Sequence, residues 1–408
     1  MDASRPVGRA APATPSVPHG RRNGDLPTHP FHPYLGALVY CVYMRIIAHL
    51  DMDAFFAGIE ERRHPRLAGA PIVVGADPLN GRGRGVVSTA SYAARAYGIR
   101  SALPIGRAWR LAEAARAKGL PPAAFLEVDM PHYAEVSRRV MAILRRHVKE
   151  VEEASVDEAF LDLSSVAADP WARAEGVARE IKAAILREEG LTASVGIGPN
   201  KLVAKIASDR EKPDGLTLVR GEEAADFLAP LPVRAIPGVG PKTEARLAAL
   251  GARAVGDARR FSGDELRKLF GKGGADLYEK LRGRDEAPLV LAWEAKSVGE
   301  QETFALDARD PKFLRARLAA IADGVLARVK EGGFRSFRGV ALTVRFADFT
   351  TVSRATTFDQ PIPADGSPAA REAMQFAVLR LFMPFLDRRM NPDRKAVRLV
   401  GLRAEKLA

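Results

Sequence analysis

Two short acidic segments are where side chains of this sequence could do chemistry. One is His49-Leu50-Asp51-Met52-Asp53-Ala54-Phe55-Phe56; the other is Ala154-Ser155-Val156-Asp157-Glu158-Ala159-Phe160-Leu161-Asp162. Each sets carboxylates at the end or bend of an apolar stretch with strand character. An uncompensated charge in such a place is very costly, and a divalent cation is the natural compensation. Carboxylate oxygens are hard donors that suit Mg2+, which keeps waters and phosphate oxygens in its remaining positions. Two such ions would clamp the attacking hydroxyl and the leaving pyrophosphate of an in-line displacement at phosphorus. In a straight strand Asp157 and Glu158 face opposite sides of the sheet, so the chain must turn or bulge there. The hairpin-like stretch Val151 to Leu163 supplies that turn. The competing explanation is that these acids cap turns or make surface ion pairs. It would suffice for one D-x-D; two paired segments on apolar strands favour the ion site.

A triphosphate also needs cations and oriented donors. In Val87-Ser88-Thr89-Ala90-Ser91-Tyr92-Ala93-Ala94-Arg95, Tyr92 and Arg95 share a face of a short helix, with Thr89 at its N-terminus, where free N–H groups favour phosphate. Lys201 and Lys205 share a face of a second helix, opened by Pro199, although a solvated charged face is the commoner explanation of such a pair. Ile236-Pro237-Gly238-Val239-Gly240-Pro241-Lys242-Thr243, flanked by helical sequence, has the form of a helix-hairpin-helix. Its glycines let backbone N–H groups approach one strand's phosphates without reading bases; the plain alternative is a Gly/Pro turn between two helices. Phe334-Arg335-Ser336-Phe337-Arg338 and the stretch from Arg345 to Arg354 interleave basic, hydroxyl and aromatic residues on strands, as contacts to a nucleic-acid backbone would.

These groups must be positioned by a mixed α and β framework. Ile46–Leu50 reads as a buried strand ending at Asp51, Pro71–Gly75 and Val86–Ser88 as further strands, and Ser91–Tyr97 as a helix. Residues 131–148 form a long amphipathic helix with Val136, Val140, Ile143 and Leu144 on one stripe. A helix around 172–187 leads to the strand Ala193–Ile197. Residues 213–285 are short helices punctuated by Gly and Pro, with no convincing strand, and 286–296 is a linker. Past it come strand 297–304, helix 311–331, strands 338–346 and 350–359, helix 367–387 and strand 396–403. This βαββαβ order is enough for a small independent domain.

The formal charge of +12 favours a polyanionic partner, because each neutralised phosphate releases condensed counterions. Residues 297–408 hold 19 Lys and Arg against 13 Asp and Glu, so half of that excess sits in the last module. A single cysteine, Cys41, excludes an intrachain disulfide framework and any Cys-rich zinc site. The first 34 residues hold seven prolines and few large apolar groups, so residues 1–43 are expected to be a disordered tail, with Met44 an alternative start. Leu35–Tyr43 lacks the cleavage site of a signal peptide, and no run reaches the roughly 20 apolar residues that span a bilayer. The expectation is a cytoplasmic monomer with no membrane contact.

Taken together, the motifs resemble the Y-family DNA polymerases, most closely the DinB type. The resemblance runs from Met44 to about Arg403. It rests on Asp51-Met52-Asp53-Ala54-Phe55-Phe56, Ser155-Val156-Asp157-Glu158-Ala159, Lys205-Ile206-Ala207-Ser208 with Lys212-Pro213, and the Pro237–Gly240 hairpin. It implies an α+β multidomain right hand: palm at 44–53 and 123–212, fingers at 54–122, thumb with helix-hairpin-helix at 213–285, linker at 286–296 and little finger at 297–408. It implies two Mg2+ ions, held by Asp51, Asp157, Glu158 and the main-chain carbonyl of Met52. Phe55, Phe56, Thr89, Tyr92, Arg95 and Lys205 would hold a deoxynucleoside triphosphate. Phe56 would exclude a ribose 2′-hydroxyl, while Phe55, pointing elsewhere, reads as core. Primer-template DNA would meet Pro237, Gly238, Val239, Gly240, Lys242, Arg335, Arg338, Arg345 and Arg354. The implied activity is error-prone copying past damaged template bases, without a proofreading exonuclease.

Two features depart from the family. Many relatives end in a Gln- and Leu/Phe-containing peptide that docks on a sliding clamp, whereas this sequence stops at Arg403-Ala404-Glu405-Lys406-Leu407-Ala408, which puts clamp binding in doubt. The linker Leu291–Lys296 is also less basic than expected. Two rivals compete with the reading: a catalytically dead accessory protein, disfavoured by the retained Asp51, Asp157 and Glu158, and a nucleotide cyclase, which needs no duplex grip.

Overall fold

The computed structural model describes residues 45–164, 168–387 and 389–408. The expected disordered tail, Cys41, the run Leu35–Tyr43 and the alternative start at Met44 lie outside the described residues. The chain proceeds through β1 (Ile47–Met52), α1 (Phe55–Arg63), β2 (Ile72–Gly75), β3 (Val87–Ala90), α2 (Tyr92–Ala96), α3 (Ile105–Arg116), β4 (Ala124–Leu126) and α4 (Met130–His147). There follow β5 (Val151–Glu153), β6 (Glu158–Asp162), α5 (Pro170–Glu189), β7 (Ala193–Gly198), α6 (Lys201–Ser208) and β8 (Leu216–Leu218). Next come the helices α7 (Ala224–Leu228), α8 (Pro241–Ala249), α9 (Val255–Ala258), α10 (Gly263–Phe270) and α11 (Lys272–Lys280). The last block is β9 (Ser297–Ala308), α12 (Pro311–Glu331), β10 (Ser336–Phe346), β11 (Thr351–Pro363), α13 (Pro368–Leu386) and β12 (Val397–Leu407).

The site hangs on the five-stranded sheet, ordered β5-β6-β1-β7-β8. Strand alternation divides its residues between two faces. Ala48, Leu50, Met52, Ala159, Leu161, Ala193, Val195 and Ile197 join one core with α4 and α5. The stripe expected on α4, Val136, Val140, Ile143 and Leu144, lies in that core. The opposite face carries Ile47 and Phe160, against which Ala204 of α6 packs. That helix lies very close to the sheet because position 196 is glycine. A Cβ there would stand 2.1 Å from the Ala204 carbonyl oxygen, so any side chain would lift α6 off the strand.

One expectation is corrected. Residues 213–285 read as strandless, yet Leu216–Leu218 pairs in parallel with Val195–Ile197 and closes the sheet's edge. Three residues carry no usable periodicity; the ladder supplied by β7 makes them a strand.

The smaller sheet, β3-β2-β4, packs against α2 and α3 through Val73, Val87, Ala94, Ile105 and Ala108. The helices from α7 to α11 share a separate core around Leu228, Leu247, Leu266 and Leu281. The C-terminal block has the expected βαββαβ order, with its sheet arranged β11-β10-β12-β9. Phe337, Val340, Leu342 and Val344 turn toward α12 and α13 in one core. The sheet's other face carries Thr343, hydrogen-bonded to Ser353, and Arg345, bonded to Thr351.

Candidate active site

The register of the central sheet brings the two acidic segments together. Asp51 of β1 lies directly opposite Glu158 of β6, and paired positions share a face with Cβ atoms about 5 Å apart. Asp157 sits in the turn just before β6, and its carbonyl accepts a hydrogen bond from the Met52 amide at 2.9 Å. Ser155 fixes that turn. Its hydroxyl accepts from the amides of Asp157 and Glu158 at 3.3 and 3.0 Å and donates to the Asp157 carboxylate at 2.5 Å. The turn required between Asp157 and Glu158 is thus present, and the three acids start from adjoining backbone positions.

Two of the three side chains rest on cations supplied by the chain. Lys212 Nζ stands 2.8 Å from Asp51 Oδ2, and Lys205 Nζ stands 2.7 Å from Glu158 Oε2. Burial pushes the Asp51 carboxyl up to about 7; Lys212 opposes the shift, and Glu158 and Asp157 add to it. Lys205, at 2.7 Å, holds the Glu158 carboxyl well below the usual carboxylate range. His49 Nε2 lies 3.6 Å from the carboxylate, beyond hydrogen-bond range. Ser208 Oγ donates to the Lys205 carbonyl, so it accepts from His49 Nδ1 at 2.8 Å. The His49 Nε2 lone pair is then left to accept from Lys205 at 3.3 Å. Burial pushes the His49 pKa down, which keeps the ring neutral.

In this arrangement no three His, Cys, Asp or Glu side chains among the described residues cluster tightly enough to hold a metal. The donor set nevertheless fits a divalent ion. It offers hard oxygens on adjoining backbone positions, and the charges now neutralising them are flexible lysine ends. Asp53 has a different task. Its carboxylate accepts from Tyr92 Oη at 3.1 Å, Ser194 Oγ at 2.8 Å and the Asp214 amide at 2.8 Å, tying α2 to the central sheet.

Tyr92 and Arg95 do share a face, for the Arg95 guanidinium lies 4.5 Å from the Tyr92 ring centroid. Burial, then Asp53, pushes the Tyr92 hydroxyl up to about 12, so it stays a donor. Thr89 is not at the helix N-terminus as expected: it lies within β3, and Ser91 caps α2 by accepting from the Ala94 amide. The strand's pairing with β2 outcompetes the helix signal there. Phe55 is 2% exposed, as a core residue should be, so it can serve a nucleotide only through its backbone in the first turn of α1. Phe56 is half-buried and stacks on Tyr133, with centroids 4.4 Å apart.

The lysine pair on α6 divides between two roles. Lys205 reaches Glu158, whereas Lys201 grips the buried Glu152 at 2.6 and 2.7 Å. The same carboxylate also accepts from the Val290 amide at 2.8 Å, fastening the linker to β5. Glu152→Ala strands Lys201 among buried groups and is expected to cost about 3 kcal/mol. Chemical denaturation checks it, and an unmoved midpoint would show that the pair contributes nothing.

The hairpin places Gly238 in the left-handed region, φ 95°, where a side chain is strained, with Gly240 capping α8. Pro237 is half-buried and Lys242 exposed, whereas the Val239 side chain is buried, leaving only its backbone for a phosphate. A single 3-10 turn, Val233–Ala235, precedes the hairpin. Arg335 and Arg338 are exposed near the sheet's end, and Arg345 is on the open face. Arg354 is corrected: it pairs with Leu342, whose side chain is in the helix-side core, so Arg354 faces α13 rather than sharing a surface with Arg345. Arg354 stands three residues beyond Thr351, the partner of Arg345, and an odd separation along a strand puts it on the opposite face, which the basic-residue pattern did not show. The last strand, expected at 396–403, runs on to Leu407 as β12 (Val397–Leu407).

Sequence reasoning missed His49, Ser155, Glu152 and Lys212 as parts of the site. His49 was legible, because it stands two residues before Asp51 on the same strand face. Ser155 acts within its own turn, two and three residues before its partners, whereas Glu152 and Lys212 depend on long-range packing.

Comparison with known proteins identifies the family. Residues 50–209 match the impB/mucB/samB family, residues 295–408 that family's C-terminal domain, and residues 234–285 a thumb domain of DNA polymerase-iota. A protein of Methanoculleus marisnigri named DNA polymerase IV is 43% identical over 363 residues, covering 89% of this chain and 94% of its own. Another of that name, from Alkalilimnicola ehrlichii, is 40% identical over 358 residues, covering 88% and 94%. Among solved structures, a Y-family DNA polymerase chimera shares 29% identity at a TM-score of 0.74, covering 89% of this chain and 99% of that one. An insertion ternary complex of Dbh DNA polymerase shares 29% identity at a TM-score of 0.61, with the same coverage. The right-hand architecture, an α+β hand with thumb and added C-terminal domain, is therefore that of this chain. The chain belongs to the Y family of DNA polymerases and is a DNA-directed DNA polymerase.

Proposed function

We propose that this polymerase adds deoxynucleotides to a primer 3′ end in translesion synthesis, at a centre built from Asp51, Asp157 and Glu158. The observation that carries the reading is the β1–β6 register, which sets Asp51 opposite Glu158 while Met52 is bonded to Asp157. These three carboxylates and the Met52 main-chain carbonyl would hold two Mg2+ ions. When bound, the ions supply Lewis acidity to the attacking and leaving oxygens. The chain's own residues do the rest. Lys205, Arg95, Tyr92 and Thr89 bind and orient the triphosphate; Lys205 and Lys212 exchange carboxylate contacts for phosphate and solvent as the site fills. Phe56 lies against the sugar and leaves no room for a 2′-hydroxyl.

The primer-template duplex is gripped by the Pro237–Lys242 hairpin through backbone N–H groups and by the open face of the C-terminal sheet with Arg335, Arg338 and Arg345. In this reading we assign the domains the expected bounds, except that the palm is taken on to Leu218 because β8 completes its sheet. The reading includes a cytoplasmic monomer without a proofreading exonuclease, and therefore low fidelity. Among the described residues no helix is long and apolar enough to cross a membrane.

Purified protein given Mg2+, primed template and four deoxynucleoside triphosphates should lengthen the primer on undamaged and lesion-bearing templates. A chelator should stop it. Absence of extension on both templates sinks the proposal.

A further inference from the structure

The Phe56 ring does not stand alone. It lies nearly parallel to the ring of Tyr133 on α4, at 4.4 Å between centroids and 16° between planes. Tyr133 is fully buried, 0% exposed, and its hydroxyl donates to Glu60 Oε1 at 2.8 Å. Glu60 is itself buried, 4% exposed, on α1, one helical turn beyond Phe56. Glu60 and Phe56 therefore point from the same side of α1 toward α4, and one tyrosine meets both. Its ring backs the phenylalanine and its hydroxyl meets the glutamate. Arg63 and His64 flank Glu60 at 3.9 and 3.4 Å, so the buried carboxylate is held in place from the solvent side.

A steric gate works only if the gating ring cannot swing away. A phenylalanine in the first turn of a helix has other staggered rotamers available. Packing on one side, fixed in rotation by a buried hydrogen bond, is what removes them. We propose that Tyr133, clamped by Glu60, is the positioning residue that holds Phe56 against the sugar and so sets the enzyme's preference for deoxyribose. Tyr133 touches no reacting atom and acts only through Phe56. Burial, then the bond to Glu60, pushes the phenol's pKa above its ordinary value, so the clamp persists across the working pH range.

This inference rests on the reading of Phe56 as the sugar gate, and a double-mutant comparison separates the two. Single-nucleotide incorporation by the full-length chain with Mg2+ is measured with a deoxy- and a ribonucleotide, and the ratio of kcat/KM values is compared. Tyr133→Leu should lower the preference for deoxyribose about tenfold, the size of one aromatic pair's preference, while dNTP incorporation stays within a few-fold. In a Phe56→Ala background the same substitution should change nothing further. Glu60→Gln, which keeps an acceptor for the phenol, should retain the preference, and Glu60→Leu should lower it. If Tyr133→Leu folds poorly, Tyr133→Phe keeps the ring and removes only the clamp, with a smaller loss of preference expected. An unchanged ratio in both Tyr133 variants, or an equal drop with and without Phe56, overturns the positioning role. Retention of full preference by Phe56→Ala overturns the gate itself and this inference with it.

Discussion

Asp157→Ala is expected to abolish primer extension while leaving primer-template affinity close to that of the unaltered chain. Asp157 is half-buried in the turn before β6, and its structural contribution is made by its backbone, whose carbonyl receives the Met52 amide. Alanine keeps that bond. The side chain's contact within the protein is the hydroxyl of Ser155, an exposed group that water can satisfy. The fold should therefore survive, and the loss falls on the transfer step. Holding ions against the attacking and leaving oxygens contributes several kcal/mol, so the rate should fall by about a thousandfold or more. Single-turnover extension measures the rate, and fluorescence anisotropy of labelled duplex measures binding. A variant that extends normally removes Asp157 from the centre; one that loses duplex binding as well shows that the acid is structural.

Phe56→Ala is expected to admit ribonucleotides. The ring is half-buried at the start of α1 and backed by Tyr133, so it cannot yield to an added oxygen without disturbing the core beneath. Forcing extra atoms into a packed site typically costs about 1–3 kcal/mol, which corresponds to roughly tenfold to a hundredfold in relative kcat/KM. Removing the ring should restore that factor for the ribonucleotide and alter deoxynucleotide incorporation far less. Competition between the two sugars at one template position reads it directly. A selectivity unchanged from that of the parent chain would falsify the gate.

Much of this protein was determined by the sequence alone, because the determinants are local. The apolar run Ile46–Leu50 and the helical stripe of Val136, Val140, Ile143 and Leu144 depend only on neighbours a few residues apart. The C-terminal βαββαβ order was legible for the same reason, since its strands and helices are long enough to show their periods. The two acidic segments stood out because carboxylates on apolar strands are costly wherever the strands lie.

What the tertiary structure decided is which of these pieces meet. Only the β1–β6 register sets Asp51 across from Glu158, and only the packing of α6 on Gly196 sends Lys205 to that carboxylate and Lys201 to Glu152. Leu216–Leu218 became a strand because β7 offered a partner, and Arg354 turned to the helix side because it pairs with Leu342. The same holds for Tyr133, an unremarked residue of an amphipathic helix until Phe56 and Glu60 arrive on it from α1. Pairing and packing between segments distant in the chain obey no short-range period. They are fixed by burying all the apolar faces at once, and that condition can be read only from the folded molecule.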